Sequence, residues 1–294
     1  MQPIEKKLTC DNPKKLFGKG AGFHDLHYME WGDKSAEKTV ICVHGLTHNS
    51  RFFDHIACEL STKGYRVICP DIVGRGKSDW LSNPKLYGYP LYVSDMVALL
   101  TNLKLSNIDW IGTSMGGLIG MMVETTLPHV INKMVLNDIG PFIPATALNR
   151  IGEYVGQSQT FPNKESAIKY LKNSMNDLGI NEESHWQHLT EHRFAENEDG
   201  TWSFNYDPAI AHPFRKKSGK QKMLPDLDLW KMWQMIHCPM LVLRGAESDL
   251  LQKDTALKMA TRDNVDLVEI ENVGHAPMLM DEHQIKIITD WLIA

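Results

Sequence analysis

The chain lacks the features that mark secreted, membrane-spanning and nucleic-acid-binding proteins. No apolar run approaches the roughly 20 residues that a membrane span requires, and the N-terminus holds no apolar stretch of signal-peptide length. The net charge of −5 over 294 residues is too weak to indicate a polyanionic partner. We therefore expect a protein that binds neither nucleic acid nor membranes.

Cysteine is also scarce. The chain has five cysteines, an odd number, and their positions show none of the spacings typical of metal sites. Cys42 and Cys69 fall inside apolar runs that read as buried strands. These features argue against a disulfide framework and against a cysteine-based metal centre. We expect reduced thiols, a cytoplasmic location and no metal.

Hydrophobic residues make up 43% of the chain, enough for a sizeable core. Strand-like and helix-like runs alternate along it, a pattern typical of a mostly parallel central sheet with helices on both faces. The predicted strands lie near Leu26–Trp31, Thr39–Val43, Arg66–Cys69, Ile108–Ile111, Lys133–Leu136, Met240–Leu243 and Leu267–Ile270. The predicted helices lie near Phe52–Lys63, Tyr92–Leu103, Thr255–Thr261 and Gln284–Leu292.

One segment interrupts this alternation. It begins at the breaker cluster Gly140-Pro141-Phe142-Ile143-Pro144 and continues with apolar positions at helical spacing. We therefore predict an α/β core formed by residues 1–139 and 237–294, with a helical lid inserted over residues 140–236. A lid at this place supplies much of a substrate pocket and excludes water.

The sequence Gly112-Thr113-Ser114-Met115-Gly116 follows an apolar, β-prone run and precedes a helix-like segment. This strand–turn–helix context is the one that a nucleophile elbow requires, with glycines on either side of a serine at the tip of a sharp turn. A five-residue pattern alone is weak evidence, so the assignment depends on finding the partners of the serine. Ser114 is the candidate nucleophile.

A serine hydroxyl needs a neighbouring base, and the base needs an acid that fixes its tautomer. His275 follows the last predicted strand, in a loop where Gly274 directly precedes it, and it is the candidate base. Asp249 follows the strand before that one and is the favoured acid. Asp138, directly after an earlier strand, and Glu247 are the alternatives.

Acyl transfer also needs two backbone N–H groups that stabilise the developing oxyanion. Met115 follows the nucleophile at the start of its helix and is the first candidate. The second should come from the loop after an earlier strand. His44 and Gly45 follow the run Thr39–Val43, and Leu46 is the candidate donor there.

Taken together, these motifs resemble those of the α/β-hydrolase superfamily, from about Tyr28 to the C-terminus. The resemblance rests on His44-Gly45, the glycine-containing loop at residues 70–79, Gly-x-Ser-x-Gly and Gly274-His275. The group of lidded esterases and carbon–carbon bond hydrolases is the most similar. Dehalogenases and epoxide hydrolases of this fold place aspartate where Ser114 stands, so the resemblance disfavours both.

The resemblance implies a serine hydrolase that cleaves a small or medium ester through an acyl-enzyme, with no cofactor. A carbon–carbon bond hydrolase of ring-cleavage products is the main alternative. The oxyanion loop disfavours it, because Leu46-Thr47-His48-Asn49-Ser50 stands where that group often has Gly-Pro-Gly. A cofactor-free perhydrolase and a hydrolase-like receptor are further alternatives. The sequence indicates a small-molecule partner and gives no oligomeric state.

The lid should determine specificity, and it contains several aromatic side chains. The candidates for the pocket wall are Phe142, Trp186, Trp202 and Trp233. The alternative for each of them is that it packs the lid against the core, because aromatic residues at helical spacing are usually buried.

Overall fold

The computed structural model describes residues 2–11, 22–175, 177–216 and 218–294. Its centre is an eight-stranded sheet in the order β1-β2-β4-β3-β5-β6-β12-β13. These strands are β1 Ile4–Asp11, β2 Phe23–Trp31, β3 Lys38–Val43, β4 Tyr65–Pro70, β5 Ile108–Thr113, β6 Ile131–Asn137, β12 Met240–Gly245 and β13 Val265–Ile270. The six strands from β4 to β13 pair in parallel, while β1 and β2 add antiparallel strands at one edge. The predicted mostly parallel sheet is confirmed.

Helices cover both faces of this sheet, as predicted. They are α1 Asp54–Thr62, α2 Tyr89–Asn102, α3 Met115–Thr126, α8 Lys253–Met259 and α9 Glu282–Ile293. Every residue of β5 is buried, and successive side chains point to opposite faces of the sheet. Trp110 packs in the core cluster on one face and Ile111 in the cluster on the other. A strand buried on both faces reads as a continuous apolar run, so β5 was recognisable from the sequence.

Two parts of the fold differ from the prediction. Strand β1 was not predicted, because its residues are mostly exposed or half-buried and only Cys10 is buried. The lid predicted over residues 140–236 as helical lies within the insertion between β6 and β12, residues 138–239, which also contains short strands. Its strands and α-helices are β7 Phe142–Ile143, α4 Ala145–Tyr154, β8 Thr160–Phe161, α5 Lys164–Ser174, α6 Glu183–Arg193, β9 Phe194–Glu196, β10 Trp202–Phe204, β11 Leu227–Asp228 and α7 Trp230–Trp233, and a 3₁₀ helix spans Pro208–Phe214.

The insertion is hydrogen-bonded to the loop after β4. Asp207 N–H donates to the carbonyl of Gly74 at 2.8 Å, and Gly76 N–H donates to the carbonyl of Asn205 at 3.1 Å. The side chain of Tyr87 also donates to the Asp207 carboxylate, at 2.5 Å. These contacts fix the insertion above the carboxyl ends of the parallel strands.

None of the five cysteines, all of which lie within the described ranges, forms a disulfide bond, and Cys42 and Cys69 are buried within β3 and β4 as predicted. Among the described residues, no helix combines the length and apolar character needed to cross a bilayer.

Candidate active site

Ser114 lies between the end of β5 and the first residue of α3, with φ of 50° and ψ of −113°. A positive φ is unusual for a serine and is the strained geometry expected of a nucleophile elbow. The two flanking glycines allow it. A Cβ on Gly116 would lie 1.9 Å from the carbonyl oxygen of Val43, and one on Gly112 would lie 2.5 Å from the backbone of Gly116. The predicted strand–turn–helix context is confirmed.

His275 stands beside this serine. Its Nε2 lies 2.9 Å from the Ser114 hydroxyl oxygen, and its Nδ1 lies 2.5 Å from Oδ2 of Asp138. The imidazole is largely buried, and the Asp138 side chain is completely buried. A carboxylate on Nδ1 fixes the proton there and leaves Nε2 to accept a proton from the hydroxyl. The structure therefore joins a serine, a histidine and an aspartate into one hydrogen-bonded chain.

The carboxylate that contacts His275 belongs to Asp138, so the prediction of Asp249 as the acid is wrong. The Asp249 side chain is 51% exposed and forms a bidentate ion pair with Arg150, in which both N–H···O distances are 2.7 Å. Glu247, the weaker alternative, is also exposed. The order of strands explains the error. Strand β6 is the direct neighbour of β5, so its carboxyl end lies next to Ser114, whereas β12 is one strand farther away.

Asp138 is held by three donors. Its Oδ1 accepts from Gly245 N–H at 2.9 Å, and its Oδ2 accepts from the Ser248 hydroxyl at 2.6 Å in addition to His275. Its own N–H donates to the carbonyl of Leu243 at 2.8 Å. A fully buried carboxylate is costly unless its oxygens are satisfied in this way. Strand β12 and the loop after it thus contribute donors to the site.

The two predicted oxyanion donors lie at the same end of the sheet. Met115 begins α3 directly after Ser114, and Leu46 lies in the loop after β3. Within the described residues, neither of these N–H groups donates to a protein acceptor. The Leu46 carbonyl accepts from Nε of the buried Arg75 at 2.9 Å, which orients the peptide of the loop. Their role as an oxyanion hole stays a prediction.

His44 holds the start of the loop after β3 that carries Leu46. Its Nε2 accepts from Ile72 N–H at 2.9 Å, so Nδ1, 2.7 Å from the Gly45 carbonyl, carries the proton and donates. Burial lowers the pKa of His44 to about 4. The side chain is therefore neutral near pH 7 and acts as a fixed donor–acceptor bridge between two loops.

A cavity of about 250 Å³ opens onto Ser114 and His275. Apolar and aromatic side chains of the insertion form much of its wall: Ile151, Tyr154, Tyr170, Leu171, Met175, Leu178, Phe204 and Tyr206.

The four predicted wall residues are elsewhere. Trp186 and Trp233 are buried in the two core clusters, as the packing alternative predicted. Phe142 lies on β7, paired with β11, and Trp202 lies on β10 below the ammonium of Lys164. The packing alternative is right for Trp186 and Trp233, whereas Phe142 and Trp202 are half-buried on short strands.

Arg193 also lines this cavity, and sequence reasoning missed it. It is 8% exposed, and its guanidinium donates to Nε2 of His48 at 2.7 Å and to the Thr47 hydroxyl at 3.0 Å. No carboxylate of the described residues forms an ion pair with it, and its Nε is buried without a hydrogen-bond partner. Burial and the charge of Arg193 lower the pKa of His48 well below its usual value, so His48 is a neutral acceptor. The cavity thus contains a buried cation that forms no ion pair with any carboxylate in the part of the chain that the structure describes.

Comparison with known proteins agrees with this architecture. The family model described as alpha/beta hydrolase family matches residues 40–285. A 3-hydroxybutyrate-oligomer hydrolase of Cupriavidus necator is 41% identical over 271 residues, which cover 91% of this chain and 92% of that protein.

Two solved structures match this chain over nearly its whole length. A protein from Rickettsia typhi superimposes with a TM-score of 0.90 at 35% identity, covering 100% of this chain and 99% of its own. An alpha/beta hydrolase from Novosphingobium aromaticivorans superimposes with a TM-score of 0.86 at 34% identity, covering 99% of this chain and 98% of its own. A family model that spans most of the sequence and a relative that matches nine-tenths of it establish that this chain belongs to the alpha/beta hydrolase family.

Proposed function

We propose that this protein is a serine esterase in which Ser114, His275 and Asp138 form the catalytic triad. The observation that carries the proposal is the hydrogen-bonded chain from the Ser114 hydroxyl through the imidazole to a buried carboxylate. A positioned base of this kind activates an otherwise weak nucleophile.

The reaction follows from this arrangement. His275 Nε2 takes the hydroxyl proton as Ser114 Oγ attacks the ester carbonyl, and the N–H groups of Leu46 and Met115 stabilise the oxyanion of the tetrahedral intermediate. The imidazolium then protonates the departing alcohol. A water molecule, deprotonated by the same imidazole, attacks the acyl-enzyme and releases the acid. Asp138 keeps the imidazole oriented and stabilises its cation throughout.

For the substrate, we propose short oligomers of a 3-hydroxy acid. The relative with 41% identity is named for hydrolysis of 3-hydroxybutyrate oligomers. Such an oligomer carries both an ester and a terminal carboxylate. Arg193 supports this substrate class, because a buried guanidinium in the cavity is a fitting partner for a carboxylate and has none among the described residues. A carboxylate-bearing ring-cleavage product would use the same cation, so carbon–carbon bond hydrolysis remains the second candidate.

The test is hydrolysis of the 3-hydroxybutyrate dimer and trimer, compared with a neutral p-nitrophenyl ester. The wild type should hydrolyse all of them, and Ser114→Ala should lower kcat by orders of magnitude on each while retaining the wild-type melting temperature. A Ser114→Ala variant that keeps most of its activity would contradict the triad. Serine-dependent loss of a dienoate chromophore, with no ester turnover, would favour the carbon–carbon bond hydrolase.

Arg193→Gln tests the carboxylate partner separately. A hydrogen bond to a charged group contributes about 1.5–3 kcal/mol, so kcat/KM for the anionic dimer should fall roughly 10- to 100-fold relative to the neutral ester. Because both substrates are measured on one preparation, partial unfolding cannot change their ratio. Arg150→Gln is the matched control, since this cavity-lining guanidinium is already paired with Asp249. An equal loss on both substrates would refute the role of Arg193.

A further inference from the structure

A second group of side chains with ligand chemistry lies outside the proposed active site. It forms where α6 of the insertion packs against the 3₁₀ turn Ser50–Phe53 and the start of α1. The ligand atoms of Asp54, His188 and His192 all lie within 4.8 Å of one another. We propose that these three side chains bind a divalent transition-metal ion of the Zn²⁺ type.

The arrangement suits such an ion. His188 and His192 are four residues apart on α6, so both rings project from the same face of the helix, with centroids 4.6 Å apart. Nε2 of His188 lies 3.7 Å from Oδ2 of Asp54. Two ligands at about 2.1 Å from a tetrahedral zinc are roughly 3.4 Å apart, so small side-chain rotations bring these atoms into range. Two imidazoles and a carboxylate leave a fourth position for water.

A third imidazole lies beside the cluster. The ring of His55 contacts that of His188, with centroids 5.0 Å apart. Nδ1 of His55 is buried with no hydrogen-bond partner among the described residues. A buried polar atom of this kind beside a ligand cluster is one that a bound ion or its water satisfies.

Two contacts of Arg51 oppose metal binding. Its backbone carbonyl oxygen lies 3.0 Å from Nε2 of His188, which donates to it, so this hydrogen bond must break and the ring proton must move to Nδ1 before Nε2 can bind a metal. The guanidinium of Arg51 holds both carboxylate oxygens of Asp54, with Nε at 2.9 and 2.8 Å. A metal ion and Arg51 therefore compete for the same carboxylate. The Arg51 side chain is 32% exposed, so it has room to turn toward solvent. This competition makes Arg51 a sharp test of the proposal, because its removal should strengthen metal binding rather than weaken it.

A bound ion would join two parts of the fold. Asp54 belongs to the core, whereas His188 and His192 belong to the insertion. His192 directly precedes Arg193, the buried cation of the substrate cavity. Metal binding would therefore fix the helix that carries Arg193 onto the core.

The experiment is a zinc titration of the full-length protein after treatment with a chelator, read by calorimetry and by the shift of the melting temperature. The wild type should bind one zinc ion and melt at a higher temperature with zinc than without. His192→Gln and Asp54→Asn should weaken binding at least about tenfold and lose the shift. Arg51→Gln should bind more tightly than the wild type. His283→Ala, which removes an exposed histidine elsewhere, is the matched control.

Melting curves in chelator establish that each variant folds, so a lost zinc response cannot be attributed to unfolding. No zinc binding by the wild type would overturn the proposal, as would unchanged affinity in His192→Gln and Asp54→Asn. Cobalt provides a further check. Histidine and carboxylate ligands give no thiolate charge-transfer band, so such a band would place the ion at the buried group Cys10, His24 and Asp95 and overturn the assignment. None of these readouts depends on ester hydrolysis.

Discussion

Replacing Asp138 with asparagine should lower kcat for ester hydrolysis by about four orders of magnitude, whereas Asp249→Asn should leave kcat within about threefold of the wild type. The two substitutions are chemically identical. They differ only in the position of the carboxylate that is removed. Asp138 contacts the imidazole of His275, whereas Asp249 lies at the surface. The pair of variants therefore distinguishes Asp138, the acid of the proposed triad, from Asp249, the acid that the sequence favoured.

The size of the first effect follows from the hydrogen bonds. In the asparagine variant the carbonyl oxygen still accepts from Gly245, and the amide nitrogen takes the place of the oxygen that faces His275. An N–H that donates to Nδ1 forces the ring proton onto Nε2, which then has no lone pair for the proton of Ser114. The stabilisation of the imidazolium is lost as well. A factor of about 10⁴ corresponds to about 5.4 kcal/mol of barrier.

The second effect is small because of exposure. The side chains of Arg150 and Asp249 are 46% and 51% exposed. An ion pair between such groups contributes about 0–1 kcal/mol, and its removal leaves the imidazole and its buried partner unchanged.

The assay is steady-state hydrolysis of one ester by the wild type and the two variants, with thermal melting as the control for folding. A large loss in Asp249→Asn together with near-normal activity in Asp138→Asn would refute the assignment of the acid.

Two further predictions concern stability. The folded-state pKa of His44 is about 4 against 6.5 for the free side chain, so the unfolded chain takes up the proton first and stability falls as the pH drops from about 6.5 to about 4. From pH 6.5 to pH 5 this loss is about 2 kcal/mol for one histidine, and urea unfolding of His44→Asn should show a correspondingly shallower pH dependence. Gly116→Ala should cost about 3 kcal/mol or more in the same assay, because its Cβ would lie 1.9 Å from the Val43 carbonyl oxygen. Gly88→Ala is the control, because its new Cβ would lie 3.7 Å from the nearest atom, and it should lower the free energy of unfolding by only about 1 kcal/mol. A loss of stability as large as that of Gly116→Ala would contradict the steric argument.

The central strands and their helices could be predicted because buried parallel strands form continuous apolar runs bounded by turns. The elements that were missed lack this signal. Strand β1 exposes charged side chains at the edge of the sheet, and the strands of the insertion are two or three residues long, too short to display an alternating pattern.

The site was predictable where a single motif determined it. Ser114 and His275 were found from local sequence, but Asp138 and Asp249 both follow a strand and both lie between the serine and the histidine in the chain. Only the order of strands in space distinguishes them. Consecutive β-α-β units are usually neighbours, so the carboxyl end of β6 was already the nearer position to Ser114. Arg193 had no sequence signal, because nothing in the residues around it indicates that its charge lacks a partner.

The hydroxyl of Ser248 donates to Asp138 at 2.6 Å from the loop after β12, the same loop that carries Asp249. The loops after β6 and β12 thus meet beside His275. The first supplies Asp138, which contacts the imidazole, and the second supplies Ser248, which donates to Asp138. A carboxylate at position 248 would lie against Asp138, and two such close acids would share a proton, with one of their pKa values strongly raised. A chain carrying both acids would still hold a single negative charge beside the histidine.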